Sequence, residues 1–177
     1  MKITSDMTMR EILAECPGAQ RALFRQYHIG GCASCGFQPE ETFAGVCARN
    51  SGVDPTEALS AILEAHEQDE KVFIDPIEAA ALLKSDAAHF LDVRTREEFE
   101  AVHIEGATLF SQELIQKIMG GWPKETVLVM VDHTGTRSLD AAAYFSGHGF
   151  ENVRALRGGI DAWSCQVDEG LPRYTVE

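Results

Sequence analysis

The pattern of hydrophobic and polar positions changes near residue 70. Before that point, apolar residues such as Ala22, Leu23 and Tyr27 recur at the spacing of amphipathic helices. After it, short apolar runs alternate with helical patterns. The change predicts two domains: a small all-helical domain over 1–70 and an α/β domain over 71–177.

Helix start and stop signals divide the first segment. Thr8 stands three residues before Glu11, which is the spacing of a capping box. Asp54 and Pro55 are a typical N-cap and first helical residue. With Pro17 and the pair Gly30-Gly31 as helix ends, these signals predict helices over 8–17, 18–28, 42–48 and 54–66. The charged stretch 67–71, EQDEK, marks the junction between the two domains.

The second segment has four apolar runs of strand length, at 72–74, 88–93, 126–131 and 153–156. The run at 126–131, TVLVMV, is apolar from Val127 onward, as expected of a strand that is buried on both faces. Helical patterns separate the runs. The alternation predicts a central parallel sheet flanked by helices.

Composition narrows the classes of partner and compartment. The formal net charge of −13 argues against nucleic acid and anionic membranes, because both are bound through basic surfaces. No apolar run approaches the roughly 20 residues of a membrane-spanning helix, and the opening residues MKITSDMTMR lack the apolar core of a signal peptide. We therefore expect a cytoplasmic protein. Its five cysteines are an odd number, which argues against a disulfide framework.

The loop that follows the strand at 126–131 is the first candidate site. In α/β sheets ligands bind at the carboxyl ends of the strands. Residues 132–138, DHTGTRS, carry a glycine and lead directly into a helix, so several backbone N–H groups can point at one anion. An ordinary turn, in which Ser138 only caps the helix, is the structural alternative.

The second segment resembles the single-domain rhodaneses. The stretches LDVRTREEFEAVHIEGA at 91–107 and GFENVRALRGGIDAW at 149–163 are similar to that family's signatures, and Asp92 and Arg94 fall in the first of them. The resemblance implies a central parallel sheet flanked by helices. It also implies a sulfurtransferase whose persulfide forms on a cysteine that opens a loop of form Cys-x-x-Gly-x-Arg-Ser.

This chain departs from that pattern at the cysteine. Gly135, Arg137 and Ser138 match the family's loop, but Asp132 stands where the family has its cysteine. A carboxylate cannot carry a transferable sulfur, since the nucleophile is a thiolate. Ordinary thiosulfate sulfurtransferase activity is therefore not expected.

The resemblance leaves an anion-binding or partner-binding pocket without the usual chemistry. Asp132 can satisfy the N–H groups of the loop itself, with help from Arg137, or serve only as a structural plug. His133, Thr134 and Thr136 complete the loop. A protonated His133 can contact an anion, and a solvent-facing His133 is the alternative.

A Cys-x-x-Cys motif is the second candidate site. Cys32 and Cys35 are placed for a reversible disulfide, two ligands to one metal, or a persulfide with a resolving thiol. Cys47 and His28 could complete a zinc site, but the tight second pair of ligands that zinc sites usually have is missing. Zinc and an iron–sulfur cluster are both disfavoured, and we expect no cofactor or metal.

Residues 7–63 resemble the hybrid-cluster-associated redox-disulfide domain. The similar features are the Met-Thr-x-x-Glu-Ile-Leu opening, a proline that ends the first helix, the Cys-x-x-Cys after the glycines and a Glu-Thr-x-x-x-x-Cys run that ends at Cys47. The resemblance implies a redox or sulfur role for Cys32 and Cys35. Two loop cysteines without chemistry are the alternative.

Two functional hypotheses follow. In the first, Cys32 and Cys35 relay sulfane sulfur or cycle as a disulfide, and the 132–138 loop binds a small sulfur-containing anion or a thiol or persulfide partner protein. In the second, the rhodanese-like segment is catalytically inactive and serves binding or redox-sensing regulation. A homodimer is compatible with both.

Overall fold

The computed structural model describes residues 2–30, 36–50 and 52–175. The chain forms two compact units, Met1–Lys71 and Val72–Glu177. Within the described residues, no helix combines the length and the apolar character needed to cross a membrane.

The first unit is built of helices. Their bounds are α1 Met9–Glu15, α2 Ala19–Tyr27, α3 Phe43–Arg49 and α4 Pro55–Val72. Thr8 forms the expected capping box with Glu11 at the start of α1. The Thr42 hydroxyl caps α3 by accepting the N–H of Gly45. The apolar faces of the helices enclose one core, whose largest fully buried side chains are Met9, Ile12, Leu23, Ile29, Phe43 and Ile62.

Two helix ends differ from the sequence prediction. Helix α2 ends at Tyr27 because His28 adopts the left-handed conformation, with φ of 59°, so the stop precedes the glycine pair. Helix α4 continues beyond residue 66 to Val72. Glutamate, glutamine and lysine are good helix formers, so the charged stretch 67–71 extends the helix instead of interrupting it.

The second unit alternates strands and helices. Its elements are β1 Phe73–Ile74, α5 Pro76–Lys84, β2 His89–Asp92, α6 Arg96–Ala101, β3 Thr108–Leu109, α7 Gln112–Gly121, β4 Leu128–Val131, α8 Arg137–Gly147, β5 Val153–Leu156 and α9 Gly159–Gln166. The strands form a five-stranded parallel sheet in the order β1-β5-β4-β2-β3. The predicted α/β fold with a central parallel sheet is confirmed.

Strand β4 lies in the middle of this sheet. Phe90 of β2 pairs with Val129, and Met130 pairs with Ala155 of β5. All four residues of β4 are buried, as the apolar run predicted. Its side chains alternate between two hydrophobic clusters, one on each face of the sheet. The chain leaves this buried strand at Val131, so the following residues begin at the carboxyl edge of the sheet.

Candidate functional site

The carboxylate of Asp132 lies inside the loop that joins β4 to α8. Its Oδ1 accepts the backbone N–H of Gly135 at 2.6 Å. Its Oδ2 accepts the N–H of Arg137 at 2.6 Å and that of Ser138 at 3.4 Å. Asp132 is only 2% exposed, so these N–H groups replace water as its hydrogen-bond donors. The Asp132 side chain therefore occupies the anion-binding position of its own loop.

Gly135 allows the loop to close around that carboxylate. Its φ is +92°, in the region that favours glycine. A Cβ at this position would lie 2.8 Å from the backbone nitrogen of Gly158 and 3.1 Å from the carbonyl oxygen of Leu156. Both the conformation and the lack of space explain the glycine.

The start of α9 fixes the outer side of the loop. The N–H of Ile160 donates to the carbonyl of Asp132 at 2.9 Å, and the N–H of Asp161 donates to that of His133 at 3.2 Å. Gly159, with φ of +59°, permits this approach, since a Cβ there would lie 2.5 Å from the Asp132 carbonyl oxygen. The sequence signal for this contact is the glycine pair Gly158-Gly159.

A buried ion pair supports the neighbouring strand end. Arg94 donates from Nε and Nη2 to the two carboxylate oxygens of Asp92, at 2.9 and 2.6 Å. Its Nη2 also donates to the carbonyl of Val102 at 2.8 Å. Burial works to lower the pKa of Arg94, but the bonds to Asp92 and Tyr174 outweigh it and the pKa is raised. Asp92 and Arg94 thus form a buried ion pair that is also bonded to the backbone at Val102.

Tyr174, which the sequence analysis did not single out, reaches this ion pair from the C-terminal segment. Its hydroxyl accepts from Nη1 of Arg94 at 2.7 Å and donates to Oε1 of Glu98 at 3.0 Å. Its ring contacts the imidazole of His133, with 4.4 Å between centroids. An isolated aromatic residue near a chain end has no periodicity or motif that would have predicted these contacts.

A cleft of about 470 Å³ opens above the loop. Its lining residues are Glu98, Asp132, His133, Thr134, Thr136, Arg137 and Thr175. The Arg137 side chain is exposed and makes no hydrogen bond or ion pair with any described residue, so its guanidinium is available to a ligand. Nδ1 of His133 and Oγ of Ser138 are buried atoms without a hydrogen-bond partner in the described part of the chain. The cleft offers side-chain donors, while the backbone donors below it are occupied by Asp132.

The cysteines fall into three groups. Cys32 and Cys35 lie outside the described residues. Cys16 and Cys47 are buried in the core of the first unit, and burial raises the pKa of both thiols. Cys165 is exposed on α9. Burial disfavours the thiolate, so Cys16 and Cys47 are packed side chains in this structure.

Among residues 2–30, 36–50 and 52–175, no group of three or more His, Cys, Asp or Glu side chains is arranged to hold a metal ion. Asp132 itself is surrounded by N–H donors, which suit a carboxylate and repel a cation.

Comparisons with known proteins match the second unit. The family model of the rhodanese-like domain matches residues 75–166. The chain is 34% identical over 96 residues to the thiosulfate sulfurtransferase GlpE of Vibrio cholerae, a match that covers 54% of this chain and 90% of that protein. It is 30% identical over 115 residues to the adenylyltransferase and sulfurtransferase UBA4 of Candida albicans. That match covers 60% of this chain but only 26% of the relative, so the chain spans about a quarter of that protein.

A solved structure shares the fold. Protein RPA3614 of Rhodopseudomonas palustris superimposes with a TM-score of 0.50 and 23% identity, over 66% of this chain and 93% of that one. The likeness concerns the arrangement of the sheet and helices. The C-terminal segment that carries Tyr174 lies beyond the residues that the family model matches.

Proposed function

This chain belongs to the rhodanese-like domain family, and we propose that its rhodanese-like unit binds a partner instead of carrying sulfur, while thiol or sulfur-relay chemistry belongs to Cys32 and Cys35. One observation carries the first part. The Asp132 carboxylate, which the resemblance aligns with the family's cysteine, accepts the backbone N–H groups of the loop.

Two consequences of that observation argue against sulfur transfer at the loop. A carboxylate is not a thiolate and forms no persulfide. It also competes with any free anion for the N–H groups, and because it is tethered at the site its effective concentration is high. A small sulfur-containing anion is therefore a poorer ligand for this loop than a partner that contacts the side chains of the cleft, foremost Arg137.

The proposed thiol chemistry rests on the Cys-x-x-Cys motif and the resemblance of residues 7–63. The Cys32 thiolate attacks the outer sulfur of thiosulfate, the S–S bond breaks, sulfite leaves and a Cys32 persulfide forms. The Cys35 thiolate then attacks the inner sulfur, which releases hydrosulfide and leaves a Cys32–Cys35 disulfide. A dithiol reductant restores both thiols, being oxidised to its own disulfide.

The test compares sulfur loading in the wild type and in Asp132→Cys. Reduced protein is treated with thiosulfate, and each cysteine is mapped by mass spectrometry, in parallel with an assay of thiocyanate formation from cyanide. In the wild type, we expect a persulfide on Cys32, or the Cys32–Cys35 disulfide into which it resolves, and no sulfur adduct on another cysteine. In Asp132→Cys, we expect an adduct at the substituted position and a gain of thiocyanate formation.

Three control variants separate the possible causes. Asp132→Ser removes the carboxylate without adding a thiol, so it should show no gain of thiocyanate formation. Cys165→Ser removes the exposed thiol on α9 and should change neither sulfur loading nor thiocyanate formation. The double variant Cys32→Ser with Cys35→Ser should form neither the persulfide nor the disulfide.

Each part of the proposal can fail separately. Thiocyanate formation by the wild type that survives in the double variant would contradict the assignment to Cys32 and Cys35. A wild type with neither a persulfide nor a Cys32–Cys35 disulfide after thiosulfate, beside an active Asp132→Cys, would contradict the thiol chemistry and leave only the proposed binding role. An inert Asp132→Cys would show that the loop no longer accommodates a persulfide.

A further inference from the structure

An apolar notch of about 400 Å³ lies beside the cleft, between α6 and the C-terminal segment. Ala101 and Val102 form one side, at the end of α6. Pro172 and Tyr174 form the other. The hydrogen bonds of the Tyr174 hydroxyl with Arg94 and Glu98 hold that second side in place. The notch is therefore built from side chains that the fold already fixes.

The polar groups at the rim of the notch are carboxylates. Glu97 is exposed and makes no hydrogen bond or ion pair with any described residue. Glu98 accepts the N–H of Thr95 and the hydroxyl of Tyr174, both at 3.0 Å. An occupant of the notch therefore meets an apolar surface with a negative edge, on a protein whose net charge is −13.

Glu98 also lines the cleft above the 132–138 loop, so the notch and the cleft adjoin at this residue. A partner that contacts the cleft beside Glu98 therefore also adjoins the notch. Such a partner would contact both Arg137 at one end and Glu97 at the other.

We infer that the notch is the anchor point of a partner protein segment that places an aliphatic or aromatic side chain against Ala101, Val102 and Tyr174 and a lysine or arginine beside Glu97. The apolar side chain gains by leaving water, and the cation complements the carboxylate edge. This inference rests on the proposed binding role of the rhodanese-like unit and names the chemistry of its partner. It does not depend on any cysteine.

The experiment uses a small probe with the same two features. The ¹⁵N-labelled full chain is titrated with 3-phenylpropylammonium and, separately, with 3-phenylpropionate, which has the same ring and the opposite charge. We expect saturable amide shifts at Ala101, Val102 and Tyr174 with the cation and markedly weaker binding of the anion.

Variants at the notch test which groups are responsible. Glu97→Gln should weaken cation binding by about two- to five-fold, the effect of losing one exposed ion pair. Glu100→Gln is the matched control, because it removes the same charge from the same helix at a residue that does not line the notch. Ala101→Trp fills the notch at an exposed position and should abolish the saturable shifts.

Three results would overturn the inference: equal binding of cation and anion, equal effects of Glu97→Gln and Glu100→Gln, or shifts that lie mainly outside the notch. The outcome is independent of the sulfur-loading assay. An Asp132→Cys variant that gains no thiocyanate formation but still binds the probe would contradict only the inference about the loop. Sulfur loading as proposed, together with no binding of the probe, would contradict only the inference about the notch.

Discussion

Asp132 has no side-chain cation bonded to its carboxylate among the described residues. Its stabilisation comes from backbone N–H groups at the start of α8, where the helix dipole also favours negative charge. The sequence left open whether the Asp132 carboxylate satisfies the N–H groups of this loop or is only a structural plug. It could not predict that Arg137 contributes its backbone N–H while its guanidinium points to solvent, because that choice depends on the turn at Gly135.

The variant Asp132→Asn tests the energetic role of the carboxylate. The amide replaces one acceptor oxygen with a donor that faces backbone N–H groups, so we expect the free energy of unfolding to fall by about 1–3 kcal/mol. Urea denaturation measures it. Glu151→Gln, at an exposed side chain without a hydrogen bond in the described structure, is the matched control and should stay within about 0.5 kcal/mol of the wild type. Equal stability of the two variants would contradict a supporting role for the carboxylate.

Tyr174 gives the second prediction, which concerns alkaline pH. Burial raises the pKa of Tyr174, Arg94 opposes this effect, and Glu98 reinforces it. A group whose pKa is raised by folding contributes stability below its unfolded pKa, about 10 for tyrosine, and loses it as the pH rises through the folded pKa. Wild type should exceed Tyr174→Phe in unfolding free energy by about 1–2 kcal/mol near neutral pH, and this advantage should shrink above pH about 10.

Denaturant unfolding between neutral and alkaline pH measures that difference. Tyr144→Phe removes an exposed hydroxyl and is the matched control at each pH. A difference between wild type and Tyr174→Phe that stays constant with pH would show that the Tyr174 hydroxyl does not titrate with the stability of the fold.

At the scale of elements, the predictions that held were local. Thr8 forms the capping box that its spacing indicated, and β4 is buried on both faces. The hydrophobic pattern of the sequence did not indicate β3 or α7. Strand β3 has only two residues, and its pairing with β2 through Leu91 and Thr108 joins distant parts of the chain. No period-2 pattern can be read from so short a strand.

The third prediction concerns the contact between α9 and the 132–138 loop. In Gly159→Ala, the left-handed conformation and the overlap with the Asp132 carbonyl oxygen should together reduce the free energy of unfolding by about 2–4 kcal/mol. Gly147→Ala is the control, because a Cβ at Gly147 meets no atom within 4 Å at the end of α8, and alanine there should be neutral or stabilising by up to about 1 kcal/mol. Thermal unfolding compares the two, and a tolerated Gly159→Ala would show that the loop can move away from α9.

At the scale of the whole molecule, each unit encloses its own hydrophobic core. The core of the first unit draws its buried side chains from residues between Ile3 and Ile62. The two clusters of the second unit cover both faces of the sheet. The charged stretch 67–71 is continuous with helix α4, which ends at Val72. Charge composition alone could not reveal that continuity, since charged residues occur both in exposed helices and in linkers.

The last prediction follows from the closed core of the second unit. A fragment of residues 72–177 has the size of an ordinary domain, about 100 residues, and contains the whole sheet and the 132–138 loop. We expect it to unfold cooperatively in urea, and the loss caused by Asp132→Asn in this fragment should agree with that in the full chain within about 0.5 kcal/mol. The Glu151→Gln fragment controls for the change of charge. A fragment without a cooperative transition would show that the sheet needs the first unit, whereas a smaller effect of Asp132→Asn in a folded fragment would show that the first unit influences the loop.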